Sequence, residues 1–232
     1  MFTTKVLLAV SVFGLLGAVA LAAPITVPNH SFEYPDLPDY VITTQCDSWS
    51  RSDPNSSGVY NCASGTYPGT DGPDPAGTLP SPADGLQFGF SNCFNPGDSV
   101  TFTSPNLATV VPENDYILTV AVGNRGGIVP GQYRISLLVD GVEATFNTLA
   151  GSTIPIDTFT DLQAVLPALP VSSPFVGGNL QVQLTHSHSG SGTKSGDFDN
   201  VRLGVVPEPS TFILLTTAAL GLLAYAWQRK RR

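Results

Sequence analysis

An all-β fold, an antiparallel β-sandwich, is predicted by three features of the chain. Short runs alternate apolar and polar residues with period two. Gly, Pro, Asn and Asp punctuate those runs. The 20 prolines and 23 glycines among 232 residues suit a loop-rich β protein better than a helical one. The two ends differ from this middle, because each carries an apolar run that reads as a membrane-targeting element. The fold class expected is therefore a sandwich between an N-terminal signal peptide and a single C-terminal transmembrane helix.

In chain order, Lys5 precedes a long apolar stretch that ends in Ala20-Leu21-Ala22, a small-x-small cleavage site. Residues 1–22 read as the signal peptide, with an uncleaved N-terminal anchor as the alternative. The exported domain spans 23–205. Within it, residues 64–84 are rich in Pro, Gly, Thr, Ser and Asp and keep no period, which predicts a long flexible surface loop. Val100-Thr-Phe-Thr103 alternates. Tyr116, Leu118, Val120 and Val122 share one face of a strand, as do Tyr133, Ile135, Leu137 and Val139. Val139-Asp140-Gly141-Val142 is a tight hairpin signal, since Asp-Gly tolerates positive φ. Leu180, Val182 and Leu184 alternate with Gln181, Gln183 and Thr185, and Phe198, Val201 and Leu203 close the series.

Residues 206–232 form a third region. Pro207 and Pro209 cannot enter a helix interior, so a helix is expected after them, capped by Ser210 or Thr211. The apolar run 212–227 has 16 residues and no charge. At about 1.5 Å per residue it spans about 24 Å, against a bilayer core of about 30 Å. Tyr225 and Trp227 sit at its end beside Arg229, Lys230, Arg231 and Arg232, the arrangement of interface aromatics and a positive-inside anchor. A Pro207-Glu208-Pro209 motif, one helix and a basic tail, in that order, resemble the PEP-CTERM sorting signal of Gram-negative bacteria. That resemblance implies a precursor held in the inner membrane and processed near the motif by an exosortase. It further implies a mature protein at the cell surface or in the extracellular matrix.

Charge narrows the partners. Between residues 23 and 205 lie five basic and seventeen acidic side chains, a net charge of −12, which argues against nucleic acid or anionic lipid. Cys46, Cys62 and Cys93 all lie in this exported part, where disulfides form. Three pairings are open; Cys46 with Cys62 is favoured because the two flank a short polar segment. No metal pattern accompanies them.

Asn29-His-Ser-Phe-Glu33 opens the domain and Asp197-Phe-Asp-Asn-Val-Arg-Leu203 closes it, with Trp49, Gly58-Val-Tyr-Asn61 and Asp84-Gly-Leu-Gln87 between. This order resembles the galactose-binding-like jelly rolls of carbohydrate-binding modules, and a group of exported PEP-CTERM proteins. The resemblance implies a jelly roll with first and last strands side by side. It also implies a structural calcium at positions matching Glu33 and Asp199, with Asp197 as a further ligand, against the alternative of ordinary turn residues. Sugar binding needs exposed aromatic faces, for which Trp49, Tyr60 and Tyr67 are candidates; Trp49 reads more readily as a core residue of a strand. His186-Ser-His188 looks like a metal pair, but His186 shares parity with Val182 and Leu184 and so points inward. No HExxH, GxSxG or phosphate-binding loop is present. The expectation is a non-enzymatic exported surface or matrix protein whose jelly roll binds extracellular polysaccharide. The alternatives are a structural cargo that contacts only proteins, and a glycan-active hydrolase.

Overall fold

The structure is a computed structural model, and residues 22–38, 41–61, 82–125, 128, 130–188, 190–207 and 229 are described. Ala22–Glu208 form one compact unit; a second unit comprises Met1–Leu21 and Pro209–Arg232. The signal peptide up to Leu21, the helix 212–227, Glu208, Pro209, Lys230, Arg231 and Arg232 lie outside the described residues. So do Cys62, Tyr67 and the part of the 64–84 loop up to Ser81. Among the described residues no helix is long and apolar enough to cross a membrane.

Among the described residues thirteen strands follow one another: β1 (Ala23–Ile25), β2 (Ile42–Thr43), β3 (Ser50–Arg51), β4 (Ser57–Asn61), β5 (Gln87–Cys93), β6 (Ser99–Thr103), β7 (Ala108–Thr109), β8 (Asn114–Asn124), β9 (Gln132–Val139), β10 (Val142–Ala150), β11 (Thr158–Leu166), β12 (Asn179–Ser187) and β13 (Lys194–Pro207). They pair antiparallel into two sheets, the predicted sandwich. The seven-stranded sheet runs β11-β8-β13-β5-β4-β2 with β1 on β13, and the six-stranded sheet runs β10-β9-β12-β6-β3 with β7 on β12. First and last strands are indeed neighbours, with Ala23 opposite Val205.

Alternation explains the core. Leu118, Val120, Val122, Ile135, Leu137, Leu180, Val182 and Leu184 are completely buried between the sheets. The inward set of β13 changes parity from Phe198 to Val201 because a bulge between Asp199 and Arg202 inserts an extra residue. Asp140 and Gly141 adopt φ of 49° and 79°, the hairpin geometry that the Asp-Gly pair predicts. An aromatic column crosses the core: Trp49 stacks on Phe32 at 5.6 Å, and Phe32, Phe102, Phe198 and Tyr133 follow edge to face. The Asn29-His-Ser-Phe-Glu33 motif serves that column. The Asn29 side chain donates to the Tyr34 and Asp47 carbonyls and its own carbonyl accepts from Trp49 Nε1, so the turn is pinned with Phe32 inside.

Candidate functional site

The outer face of a sandwich sheet is ordinarily polar and wet. At the centre of the seven-stranded sheet it is dry. Val59 on β4 and Cys93 on β5 enter the inter-sheet core, so Tyr60, Phe88 and Phe90 point to the opposite face. These three are nevertheless 1, 0 and 6 % exposed. Phe159 from β11 joins them, and Phe88 meets Tyr60 and Phe159 edge to face at 5.5 and 6.0 Å. This second aromatic cluster is separate from the core.

β13 brings acid to the same face. Phe198 fills the core, so Asp197 and Asp199 on either side of it face outward, and both are completely buried. A Cβ placed on Gly123 of β8 would lie 2.8 Å from the Phe159 ring and 3.1 Å from Asp197 Cβ. The missing side chain lets ring and carboxyl approach across β8. Arg125, two residues on, forks Asp197: Nε donates to Oδ2 at 3.2 Å and Nη2 to Oδ1. Its Cζ also lies 5.6 Å from the centre of the Phe88 ring. From beneath, the Asp197 N–H donates to the Tyr133 hydroxyl at 3.0 Å, and that hydroxyl donates to the Gly123 carbonyl.

Electrostatics follow from this burial. Removal from water raises the Asp197 pKa above the usual carboxylate range, and the Arg125 charge opposes that rise. Burial likewise pushes Asp199 up to about 7, against the hydrogen bonds it accepts. Those bonds give Asp199 a different task. Its Oδ2 accepts from the Ala83 and Asp84 N–H groups at 2.6 and 2.9 Å. Glu33 Oε1 accepts from Leu86 and Gln87 N–H at 2.8 and 2.9 Å. Both residues fasten the segment that leads into β5 and presents Phe88.

The three predicted calcium ligands each carry other bonds. Asp197 is committed to Arg125, while Glu33 and Asp199 face backbone donors. Among the described residues no group of three acidic, histidine or cysteine side chains could hold a metal. Of the sugar candidates, Trp49 is 5 % exposed inside the core column and Tyr60 belongs to the outer aromatic cluster. Cys46 is a buried free thiol whose side chain turns into the core, and burial pushes its pKa up to about 12; its expected partner Cys62 lies outside the described residues.

The His186-Ser-His188 pair also resolves. His186 Nε2 accepts from the Gly131 N–H at 3.0 Å, which makes Nδ1 the protonated nitrogen, 3.6 Å from Cys93 Sγ. The Cys93 thiol lies 3.6 Å from the His186 carbonyl, to which it donates. Burial drives His186 down to about 3 and Cys93 up to about 11, so the pair is neutral and structural rather than a nucleophilic dyad.

Sequence reasoning placed Asp197 and Tyr60 among its candidates and missed Phe88, Phe90, Gly123, Arg125 and Phe159. The usable signal was an acidic pair, Asp197 and Asp199, flanking a core phenylalanine inside a strand.

Comparison with known proteins agrees with this geometry. Residues 23–204 match the HpiC1 cyclase family and residues 205–232 match the PEP-CTERM protein-sorting motif. No curated protein sequence matches the chain. A Stig cyclase, Fisc, from Fischerella sp. TAU, solved in complex with (3Z)-3-(1-methyl-2-pyrrolidinylidene)-3H-indole, is 25 % identical. The likeness covers 80 % of this chain and 98 % of that one, with a TM-score of 0.64. A cyclase from the same organism in complex with 4-(1H-indol-3-yl)butan-2-one matches over the same shares at 25 % identity, with a TM-score of 0.62. These findings overturn the expectation of a non-enzymatic protein. The error arose because the outer face described above is assembled from strands distant in sequence and carries no contiguous motif. With its sorting motif at 205–232 marking it for export and exosortase processing, the chain belongs to the HpiC1 cyclase family.

Proposed function

We propose that this chain is an exported cyclase that closes a ring in an apolar, indole-type substrate by proton transfer on the outer face of the seven-stranded sheet. The observation that carries the reading is Asp197: a completely buried carboxyl, its pKa raised by burial, set beside Phe159 and an aromatic cluster. In this reading the neutral carboxyl gives its proton to a carbon–carbon double bond of the substrate. The O–H bond breaks, a C–H bond forms, and the substrate becomes a carbocation. An electron-rich carbon of the same molecule attacks that centre, and the cyclised cation returns a proton to the carboxylate. The net change is an isomerisation, with no other reactant consumed.

Each neighbour has a part. Arg125 stabilises the carboxylate left after transfer, which lowers the cost of giving up the proton. The π faces of Tyr60, Phe88, Phe90 and Phe159 stabilise positive charge in the substrate and keep water from quenching it. The sorting motif supports a precursor anchored in the inner membrane, followed by a mature enzyme at the cell surface or in the extracellular matrix.

The test is binding and turnover by the purified chain. The indole compounds bound by the Fischerella cyclases are ready probes, followed by calorimetry, and prenylated indoles are trial substrates. Asp197→Asn should keep the fold and the binding of 4-(1H-indol-3-yl)butan-2-one while losing about 10²–10⁴-fold in turnover. Turnover unchanged in that variant would remove Asp197 as the acid. Retention on immobilised extracellular polysaccharide, abolished by Tyr60→Ala, would instead favour a glycan-binding role for the same face.

A further inference from the structure

β13 carries one more outward side chain. A Cβ on Gly196 would strike the His186 ring at 2.6 Å, inside the core, so its neighbours Ser195 and Asp197 face the other way. Ser195 is 1 % exposed and its hydroxyl has no hydrogen-bond partner. The hydroxyls of several other buried serines are partnered. Ser91, Ser104 and Ser136 are also buried, and each hydroxyl donates to a carbonyl or carboxylate. A buried hydroxyl with nothing to bond lowers stability. Such a group is tolerable where a ligand completes it. Its place is specific: it lies two residues along the strand from Asp197, about 6.6 Å at about 3.3 Å per residue, opposite Asn92 of β5.

We infer that Ser195 Oγ is the group that fixes a hydrogen-bonding heteroatom of the substrate, an N–H or a carbonyl, and so sets which carbon meets the Asp197 proton. The assignment rests on the proposed reading of this face as the substrate site. A hydroxyl suits the task because it donates and accepts, and because an aromatic-lined face alone orients a flat ring poorly. Ser195 is thus a specificity determinant that touches substrate but transfers no proton.

The experiment compares the full-length wild type with Ser195→Ala, using three probes: 4-(1H-indol-3-yl)butan-2-one, its N-methylindole counterpart and ketone-free 3-butylindole. Loss of one hydrogen bond predicts that Ser195→Ala weakens the parent probe about three- to tenfold. The same substitution should change binding of the one analogue lacking the bonded heteroatom less than about twofold. The melting temperature of the free protein should not fall. Equal weakening of all three probes, or of none, overturns the assignment. So does a lower melting temperature, which would show that the hydroxyl holds the protein itself. A wild type that binds none of the probes sinks the reading of the site first, and the Ser195 assignment with it.

Discussion

Asp197 and Arg125 show how one residue's role depends on its neighbour. A buried carboxylate without a partner is strongly disfavoured, so removing Arg125 should raise the Asp197 pKa further. Arg125→Met is therefore expected to slow turnover, because the product carboxylate loses its support. It should also carry the alkaline limb of the activity profile to higher pH, because the proton is held more tightly. A pH–rate profile of the variant decides the matter: a limb that stays put or moves to lower pH contradicts the coupling. Gly196 makes a steric point of the same kind. Its hydrogen is all that fits against the His186 ring, so Gly196→Ala should overpack the core and cost about 1–3 kcal/mol in chemical denaturation. None of these three residues advertises its role in sequence. For the ion pair the role comes from a neighbour far along the chain: Asp197 is 72 residues from Arg125.

At the scale of elements, β13 does most of the positioning. It pairs with β8 along most of its length, with β5 over its first half and with β1 near its end. Its final pairs, Val206 with Asp115 and Pro207 with Asn114, carry the strand up to the sorting motif. A chain of residues 23–207 is therefore expected to melt as cooperatively as the full-length protein. One ending at Arg202 forfeits the β1 ladder and the last five pairs to β8, and should melt markedly lower by differential scanning calorimetry. Equal melting of the two truncations would show that the strand end is dispensable. Several strands with one wet face were legible in sequence. β8, β9 and β12 alternate in hydropathy and were located by it. β4 and β5 were not, because every residue of β4 is buried and both faces of β5 are covered, which erases period two. The strands invisible to the pattern are the ones that carry Tyr60, Phe88 and Phe90.

For the molecule as a whole, stability should follow protons. Burial holds Asp199 at about 7 when folded, against 3.8 as a free carboxyl. Between those values the native state keeps a proton that the unfolded chain has lost, so this group's contribution to stability falls as pH rises from about 4 to about 7. His186, lowered from 6.5 to about 3, acts in the opposite sense: its contribution is lost as pH falls from about 6.5 toward 3. A difference measurement separates the two. The melting temperature of Asp199→Asn minus that of wild type should be more positive at pH 8 than at pH 5, and a difference independent of pH would contradict the burial argument.

The sequence by itself determined the sandwich, the Asp-Gly hairpin, the inward His186 and the sorting motif, because periodicity, turn chemistry and tail order are local properties of a chain. Only the tertiary structure decided that an acid and four rings share a face and that the calcium candidates face N–H donors. Convergence in space between residues far apart in the chain depends on strand pairing and register, and no local pattern encodes either.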